Sequence, residues 1–210
     1  MKKGIFITFE GNDGSGKTTQ IMRLAEYLKS IGREVCVIRE PGGTPVGEKI
    51  RKIVLDNENR EMCAMTEMML YAASRAQLVS SVIKPELAMN KAVICDRFVD
   101  SSLAYQGIGR KLGLDTVWKV NSLAIDGYLP NITFFMDIDA DTAMGRRNAK
   151  GEVADRIENE EMDFHRRVYM GYLKFSEMYP ERIKCVNVNK EPEDVFREIR
   201  MHVDDFLKRG

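Results

Sequence analysis

Gly11-Asn12-Asp13-Gly14-Ser15-Gly16-Lys17-Thr18 is the stretch from which the rest of the chain is best read. Its spacing is GxxxxGK[ST], and its context fits: Ile7-Thr8-Phe9-Glu10 before it reads as a strand, and the run from Thr19 to Leu28 after it as a helix. The glycines let the backbone turn and aim successive N–H groups at phosphate oxygens. The helix N-terminus that follows adds a favourable dipole. Lys17 is placed to bridge the β- and γ-phosphates of ATP, and the Thr18 hydroxyl to ligate Mg²⁺, with Thr19 closing the ATP-binding set. A phosphate loop alone does not name a reaction, because GTPases, ATPase switches and small-molecule kinases all have one. A guanine-specific Asn-Lys-x-Asp string is missing: the nearest, Asn189-Lys190-Glu191-Pro192, has proline where the aspartate belongs.

Outward from the loop, composition sets bounds. The 210 residues carry 32 Lys+Arg against 32 Asp+Glu, and this zero balance argues against a dedicated nucleic-acid binder. Hydrophobic residues make up 44% and charged residues 30%, the proportions of a folded globular chain. No apolar run approaches the ~18 residues a membrane span needs. The start, Met1 to Gly11, lacks a small-residue cleavage site and reads as a cytoplasmic N-terminus. Among four cysteines no CxxC pair occurs, and His165 and His202 are the only histidines, so a zinc site is not expected. Cys36, Cys95 and Cys185 read as small apolar residues of buried strands in a reducing compartment.

The chain alternates β-rich runs with helical stretches. Strands are expected at Ile5–Phe9, Glu34–Ile38, Ala92–Cys95, Ile132–Ile138 and Ile183–Val188, each apolar enough to be covered on both faces of a parallel sheet. Helices are expected near 17–31, 46–55, 66–84, 114–126, 158–178 and 192–208, with Pro85, Gly127, Pro130 and Pro180 marking helix ends. This alternation implies an α/β three-layer sandwich on a five-stranded parallel sheet, in a single domain over 1–210. Residues 141–160 resist the pattern: they carry Arg146, Arg147, Lys150 and Arg156, and Gly145 and Gly151 weaken any helix there. They read as a basic lid.

Three further strings decide the chemistry. Arg39-Glu40-Pro41-Gly42-Gly43-Thr44 follows the second strand, Tyr71-Ala72-Ala73-Ser74-Arg75-Ala76-Gln77 lies on a helix, and Asp96-Arg97 with Ser101-Ser102-Leu103-Ala104-Tyr105-Gln106-Gly107 follows the third strand. Asp96, at a strand end beside the phosphate loop, suits Mg²⁺ held through water. Arg97 offers a planar fork for an acceptor phosphate. Tyr71 and Arg75 stand four apart on one helix face, a ring to stack on a nucleobase and a guanidinium to donate to its carbonyl. Ser102 and Gln106, like Ser101 and Tyr105, are also four apart and would face the base edge and sugar from the opposite wall.

Together with the phosphate loop these strings resemble, in order and spacing over nearly the whole chain, the motifs of bacterial thymidylate kinases. The resemblance implies the P-loop NTPase architecture, transfer of the γ-phosphoryl of ATP to dTMP, Mg²⁺ as cofactor and a cytoplasmic homodimer. It further implies that the Ser102 and Gln106 positions sit near the thymine edge, that Tyr105 lies under the deoxyribose, and that Asp13 contacts the 3′-hydroxyl. Pro41, Arg39 and Arg51 then belong near the acceptor. With Ser15 inside the phosphate loop where some relatives have arginine, the lid must supply the cation for the transferred phosphoryl: Arg146, Arg147, Lys150 or Arg156. Ala154-Asp155-Arg156-Ile157-Glu158 resembles the DRxE string that ends that lid. No strong general base is apparent, which favours a phosphomonoester acceptor, already mostly dianionic with a second pKa near ~6, over a nucleoside hydroxyl. The remaining alternatives are a kinase for another nucleoside monophosphate or a deoxynucleoside, and an ATP-dependent binding switch.

Overall fold

The computed structural model describes residues 4–149, 151 and 153–209. Among them, the strands are β1 (Ile5–Glu10), β2 (Val35–Arg39), β3 (Ala92–Asp96), β4 (Ile132–Asp137) and β5 (Ile183–Asn187). They pair in parallel in the order β2-β3-β1-β4-β5. The helices are α1 (Lys17–Ser30), α2 (Pro45–Leu55), α3 (Ala64–Leu78), α4 (Lys84–Ala88), α5 (Val99–Ser102), α6 (Leu114–Ile125), α7 (Ala140–Asn148), α8 (Met162–Met178) and α9 (Pro192–Arg209). Two π-helical turns, Val79–Ile83 and Leu103–Gly109, continue α3 and α5.

Strand periodicity builds the layers. Ile5, Ile7 and Phe9 of the central β1 pack on one face with Ile21, Leu24 and Leu28 of α1 and Val195, Ile199 and Val203 of α9. On the other face Phe6 joins Leu78, Ile83 and Ile125, while Phe135 joins Leu103, Val168 and Phe175. Each of these large side chains contributes about 1.5–3 kcal/mol on burial. The alternate positions of β1 that face this second layer near the strand's end are Thr8 and Glu10, both fully buried. Thr8 is satisfied by Thr133 at 2.8 Å. The sheet is thus the expected three-layer α/β sandwich, and every strand delivers its C-terminal end to one edge.

Four expectations need correction. First, β2 and β5 are edge strands and are not covered on both faces: Cys36 is half-buried and Cys185 exposed, and only Cys95 is a core thiol. Second, Pro85 does not end its helix. Proline removes one N–H and crowds the carbonyl four residues back, and the wider π turn at Val79–Ile83 just before it accommodates that loss, so the helical path runs on to Ala88. Third, the lid segment begins as a helix, α7, despite Gly145. Asp139 caps it, accepting from the Thr142 backbone N–H at 2.8 Å and from its hydroxyl at 2.7 Å, and Ala140 and Ala143 bury against the body. Fourth, the following helix starts at Met162, not 158, because Asp155 accepts from the Ile157 and Glu158 amides, 2.9 Å each, and holds that stretch in a turn.

Candidate active site

The loop after β1 runs into α1 through Gly16. At Gly14 the backbone is left-handed, φ +87°, and a Cβ there would lie 2.3 Å from the Ala143 carbonyl oxygen, so only glycine lets α7 sit this close to the loop. Lys17 is buried and its ammonium donates to the Gly11 and Asn12 carbonyls, both at 3.0 Å, with the Asp13 carboxylate at 3.6 Å. Burial and the nearby Arg97 push its pKa down. A cleft of about 210 Å³ opens here, lined by Asp13, Gly14, Gly16, Lys17, Thr18, Thr19, Asp96, Arg147 and Glu158. Asn12 and Ser15 lie buried beneath it with unpartnered polar side-chain atoms.

Arg97 joins this cleft to a second one. Its backbone is left-handed, φ +68°, which is strained for a side chain with a Cβ, and it is tied down by an N–H bond of 2.9 Å to the Phe9 carbonyl. One end of its guanidinium donates to Asp13 at 2.8 Å. The other reaches the Ser101 and Tyr172 hydroxyls at 3.3 and 3.4 Å. Burial would raise the Asp13 pKa, but Arg97 and Lys17 outweigh it and hold the carboxyl below the usual range. Behind this array stands Glu10, which accepts from the Phe98 amide at 2.8 Å, from Ser101 at 2.5 Å and from Tyr172 at 3.1 Å. Burial, aided by Asp100, pushes Glu10 up to about 8.

The second cavity, about 130 Å³, is lined by Asp13, Glu40, Pro41, Arg51, Leu55, Tyr71, Arg97, Ser101, Ser102, Tyr105, Gln106, Asp155, Ile157 and Glu158. Most residues assigned from the sequence to the acceptor are therefore brought to one place. The π turn matters here, because it puts Tyr105 and Gln106 on the cavity together with Ser101 and Ser102 of α5. Arg51 is held by the Pro41 carbonyl at 3.0 Å. Arg39 does not line the cavity and instead pairs with Glu48 at 3.0 Å on the surface. A larger cavity of about 390 Å³ beside Leu103, Trp118 and Leu129 is mostly apolar; of its charged residues, Asp100 and Arg182 pair with each other at 2.6 and 2.8 Å, and Asp115 stands at its edge on α6.

Arg75 lies one layer deeper than its sequence reading placed it. It is 1% exposed and does not line the cavity. All five of its N–H groups have partners: Nε with Glu40 at 2.8 Å, Nη1 with Ser102 at 2.9 Å and with Asn121, and Nη2 with the Phe98 carbonyl at 3.0 Å and with Glu40 at 2.6 Å. It reaches the cavity through Ser102 and Glu40. The second Glu40 oxygen is buried and unpartnered, and burial pushes this carboxyl up to about 7 against the pull of Arg75.

The lid cations part company. Arg147 lines the phosphate cleft, donating to the Glu158 carbonyl at 3.2 Å and to Asn148 at 3.3 Å. Arg146 turns away to the Val188 carbonyl at 3.2 Å and Asn189 at 3.0 Å. Arg156 is buried under the acceptor cavity, donating to the Val54 carbonyl and to Glu67, both at 2.8 Å. Lys150 lies outside the described residues. Sequence reasoning missed Glu10, Tyr172, Glu40, Glu67 and Glu158. Glu10 left one signal, a charge closing the otherwise uncharged run Ile5-Phe6-Ile7-Thr8-Phe9.

Comparison with known proteins gives a consistent picture. The family model described as thymidylate kinase matches residues 9–199. A thymidylate kinase of Thermoanaerobacter sp. (strain X514) is 49% identical over 205 residues, covering 98% of this chain and 100% of that protein. One of Clostridium novyi (strain NT) is 45% identical over 202 residues, covering 95% and 98%. The crystal structure of thymidylate kinase from Ehrlichia chaffeensis superimposes with a TM-score of 0.79 at 34% identity, covering 96% of this chain and 99% of that one.

Proposed function

The chain belongs to the thymidylate kinase family, and from that premise we propose how its own residues divide the work of the reaction. It is an ATP-dependent phosphotransferase that moves the γ-phosphoryl of ATP to dTMP, giving ADP and dTDP. The observation that carries the division of labour is that Lys17 and Arg97 meet at one carboxylate, Asp13, at 3.6 and 2.8 Å. The phosphate cleft and the acceptor cavity therefore adjoin with a cation on each side.

In this reading the loop Gly11–Thr19 holds the ATP phosphates, and Lys17 grips the group in transfer. Arg97 forks the dTMP phosphate, with Arg51 beside it. Asp13 keeps both cations apart and, where the sugar enters, accepts from the 3′-hydroxyl. Tyr71 stacks on the base; Tyr105, with Arg97 over its ring at 5.1 Å, floors the sugar. Ser102 and Gln106 meet the base edge, and Arg75 fixes Ser102 from behind. Arg147 is the lid cation that faces the transferred phosphoryl; Arg156 anchors the lid's end and stays out of the chemistry.

Thr18 and Asp96 would hold Mg²⁺. The donor set fits: both line the phosphate cleft, and one Asp96 oxygen is buried without a partner. When bound, the ion would shield phosphate charge during transfer. The acceptor is already a dianion, so no residue is required to take a proton from it.

We also read the chain as one kinase unit acting as a homodimer in the cytoplasm, without nucleic-acid or membrane partners. Exposed Met65, Met69 and Leu123 on the packed helices α3 and α6 support pairing, and among the described residues no helix is long and apolar enough to cross a membrane. Sedimentation equilibrium tests the pairing. The functional reading is tested by following ADP release with a panel of nucleoside monophosphates and deoxynucleosides. Fast turnover with dTMP alone is expected. Equal turnover of other acceptors, or turnover only with a protein partner, would overturn it.

A further inference from the structure

Glu67 of α3 is fully buried and touches neither the phosphate cleft nor the acceptor cavity, yet donors from three parts of the chain converge on it. Arg110 forks it, with Nη2 at 2.9 Å and Nε at 3.2 Å. Arg156, at the end of the lid, donates at 2.8 Å. Gln106, from the π turn, donates through its amide nitrogen at 2.9 Å. Burial works to raise the Glu67 pKa, but Arg110, Gln106 and Arg156 outweigh it and hold it below the ordinary carboxylate value. It is an anion in a dry place with its charge answered.

An ionised carboxylate has no proton to give, so the end of the Gln106 amide that meets it must be the NH₂. Gln106 also lines the acceptor cavity, and among the described residues no donor is bonded to its side-chain oxygen. What Gln106 has left for a ligand is an acceptor. A free amide can turn over and present either end at little cost; this one cannot without setting its oxygen against Glu67.

We propose that Glu67 is a specificity-positioning residue: by locking the Gln106 amide, it makes the pocket accept a pyrimidine with a ring N–H and reject one whose ring nitrogen at that place is a bare lone pair. Thymine and uracil belong to the first class and cytosine to the second. The inference rests on the reading of the cavity as the base pocket. Because Arg156 shares the same carboxylate, the lid's end and the base reader stand on one support.

The discriminating pair is dTMP and 5-methyl-dCMP, alike in shape and differing in the hydrogen-bonding sense of the edge. The wild-type enzyme is expected to favour dTMP in kcat/KM by about 10²-fold or more. Glu67→Asp keeps the charge for Arg110 and Arg156 but withdraws the oxygen from Gln106, and should cut that ratio about tenfold. Glu67→Gln, which can greet either amide end, should cut it at least as far. Gln106→Leu should cut it as well, and the ATP KM should stay near its wild-type value in all three. Arg110→Met removes a partner of Glu67 without touching Gln106, and with Arg156 still pairing the carboxylate it should lower Tm and keep most of the ratio. A folded Glu67→Asp or Glu67→Gln enzyme with the wild-type ratio would sink the proposal, and so would an Arg110→Met enzyme that loses the ratio equally. If the wild type itself uses both nucleotides alike, the base-pocket reading fails first, and that outcome is visible before any variant is made.

Discussion

The two halves of the active site are built in opposite ways. On the side we assign to ATP, one run, Gly11–Thr19, supplies most of the cleft, and only Asp96, Arg147 and Glu158 come to it from elsewhere. The side we assign to dTMP is assembled from side chains spread between Asp13 and Glu158, and most of them stand on a second row, Glu10, Glu67, Arg75, Asn121, Arg156 and Tyr172. Phosphates are alike in every nucleotide, and a fixed loop serves them. A base edge must be told from others, which requires donors and acceptors held in one sense by buried partners. The expected consequence is that damage on the ATP side shows in rate, and damage on the dTMP side in binding and stability together.

The sharpest break would come from Lys17→Ala, expected to lower kcat by about 10³-fold or more while Tm and calorimetric dTMP affinity stay near wild type. Arg75→Ala should behave in the contrary manner. It strands the buried Glu40 carboxylate, so denaturant unfolding should show a loss of about 3–5 kcal/mol, with weaker dTMP binding alongside. If Arg75→Ala cost only rate, the two-row picture of the acceptor side would be wrong. Arg147→Ala tests the lid: kcat should drop about 10²-fold with ATP KM little changed, whereas Arg146→Ala should leave kcat nearly intact. Arg97→Lys should raise the dTMP KM about 10- to 30-fold, since an ammonium cannot reproduce two parallel N–H bonds, and leave weak thymidine binding unmoved.

The last comparison concerns Glu10 and is made through pH. Its folded pKa, about 8, lies above the ordinary 4.5, so the folded protein holds this proton more tightly than the unfolded chain. The stability it contributes is complete below pH 4.5 and is lost as pH rises through about 8. Wild-type Tm should therefore fall across that window, and Glu10→Gln, which imitates the protonated form, should flatten the slope. An unchanged slope in the variant would assign the pH dependence to another group.

The same contrast explains what could be read in advance. The phosphate loop, the five strands and the sheet class follow from local spacing and apolar runs, because a P-loop and a buried parallel strand each write their physics into consecutive residues. The acceptor residues were legible as strings, and the positions of Ser101, Ser102, Tyr105 and Gln106 on one cavity agree with their four-residue spacings. Arg75 misled because spacing tells which face a residue takes but not how deep it lies; four partner residues from distant positions decide that. Glu67 and Glu10 were silent for the same reason. A carboxylate is called buried only when its counter-charges are known, and Arg110, Arg156 and Arg97 approach from far along the chain. The helix α7 was hidden because its stability comes from one cap and two buried alanines, not from its own propensity.

The π turn at Leu103–Gly109 has a bearing on how this chain can change over generations. A π turn holds one residue more than the α turn it replaces. Losing any single codon there would leave a tidier α turn, yet the side chains within the turn would be redistributed about the axis. Gln106 or its neighbour Tyr105 would then look elsewhere, away from the cavity both line. In this segment the number of residues is itself a functional property, and a lineage can afford to exchange letters there far more readily than to drop one.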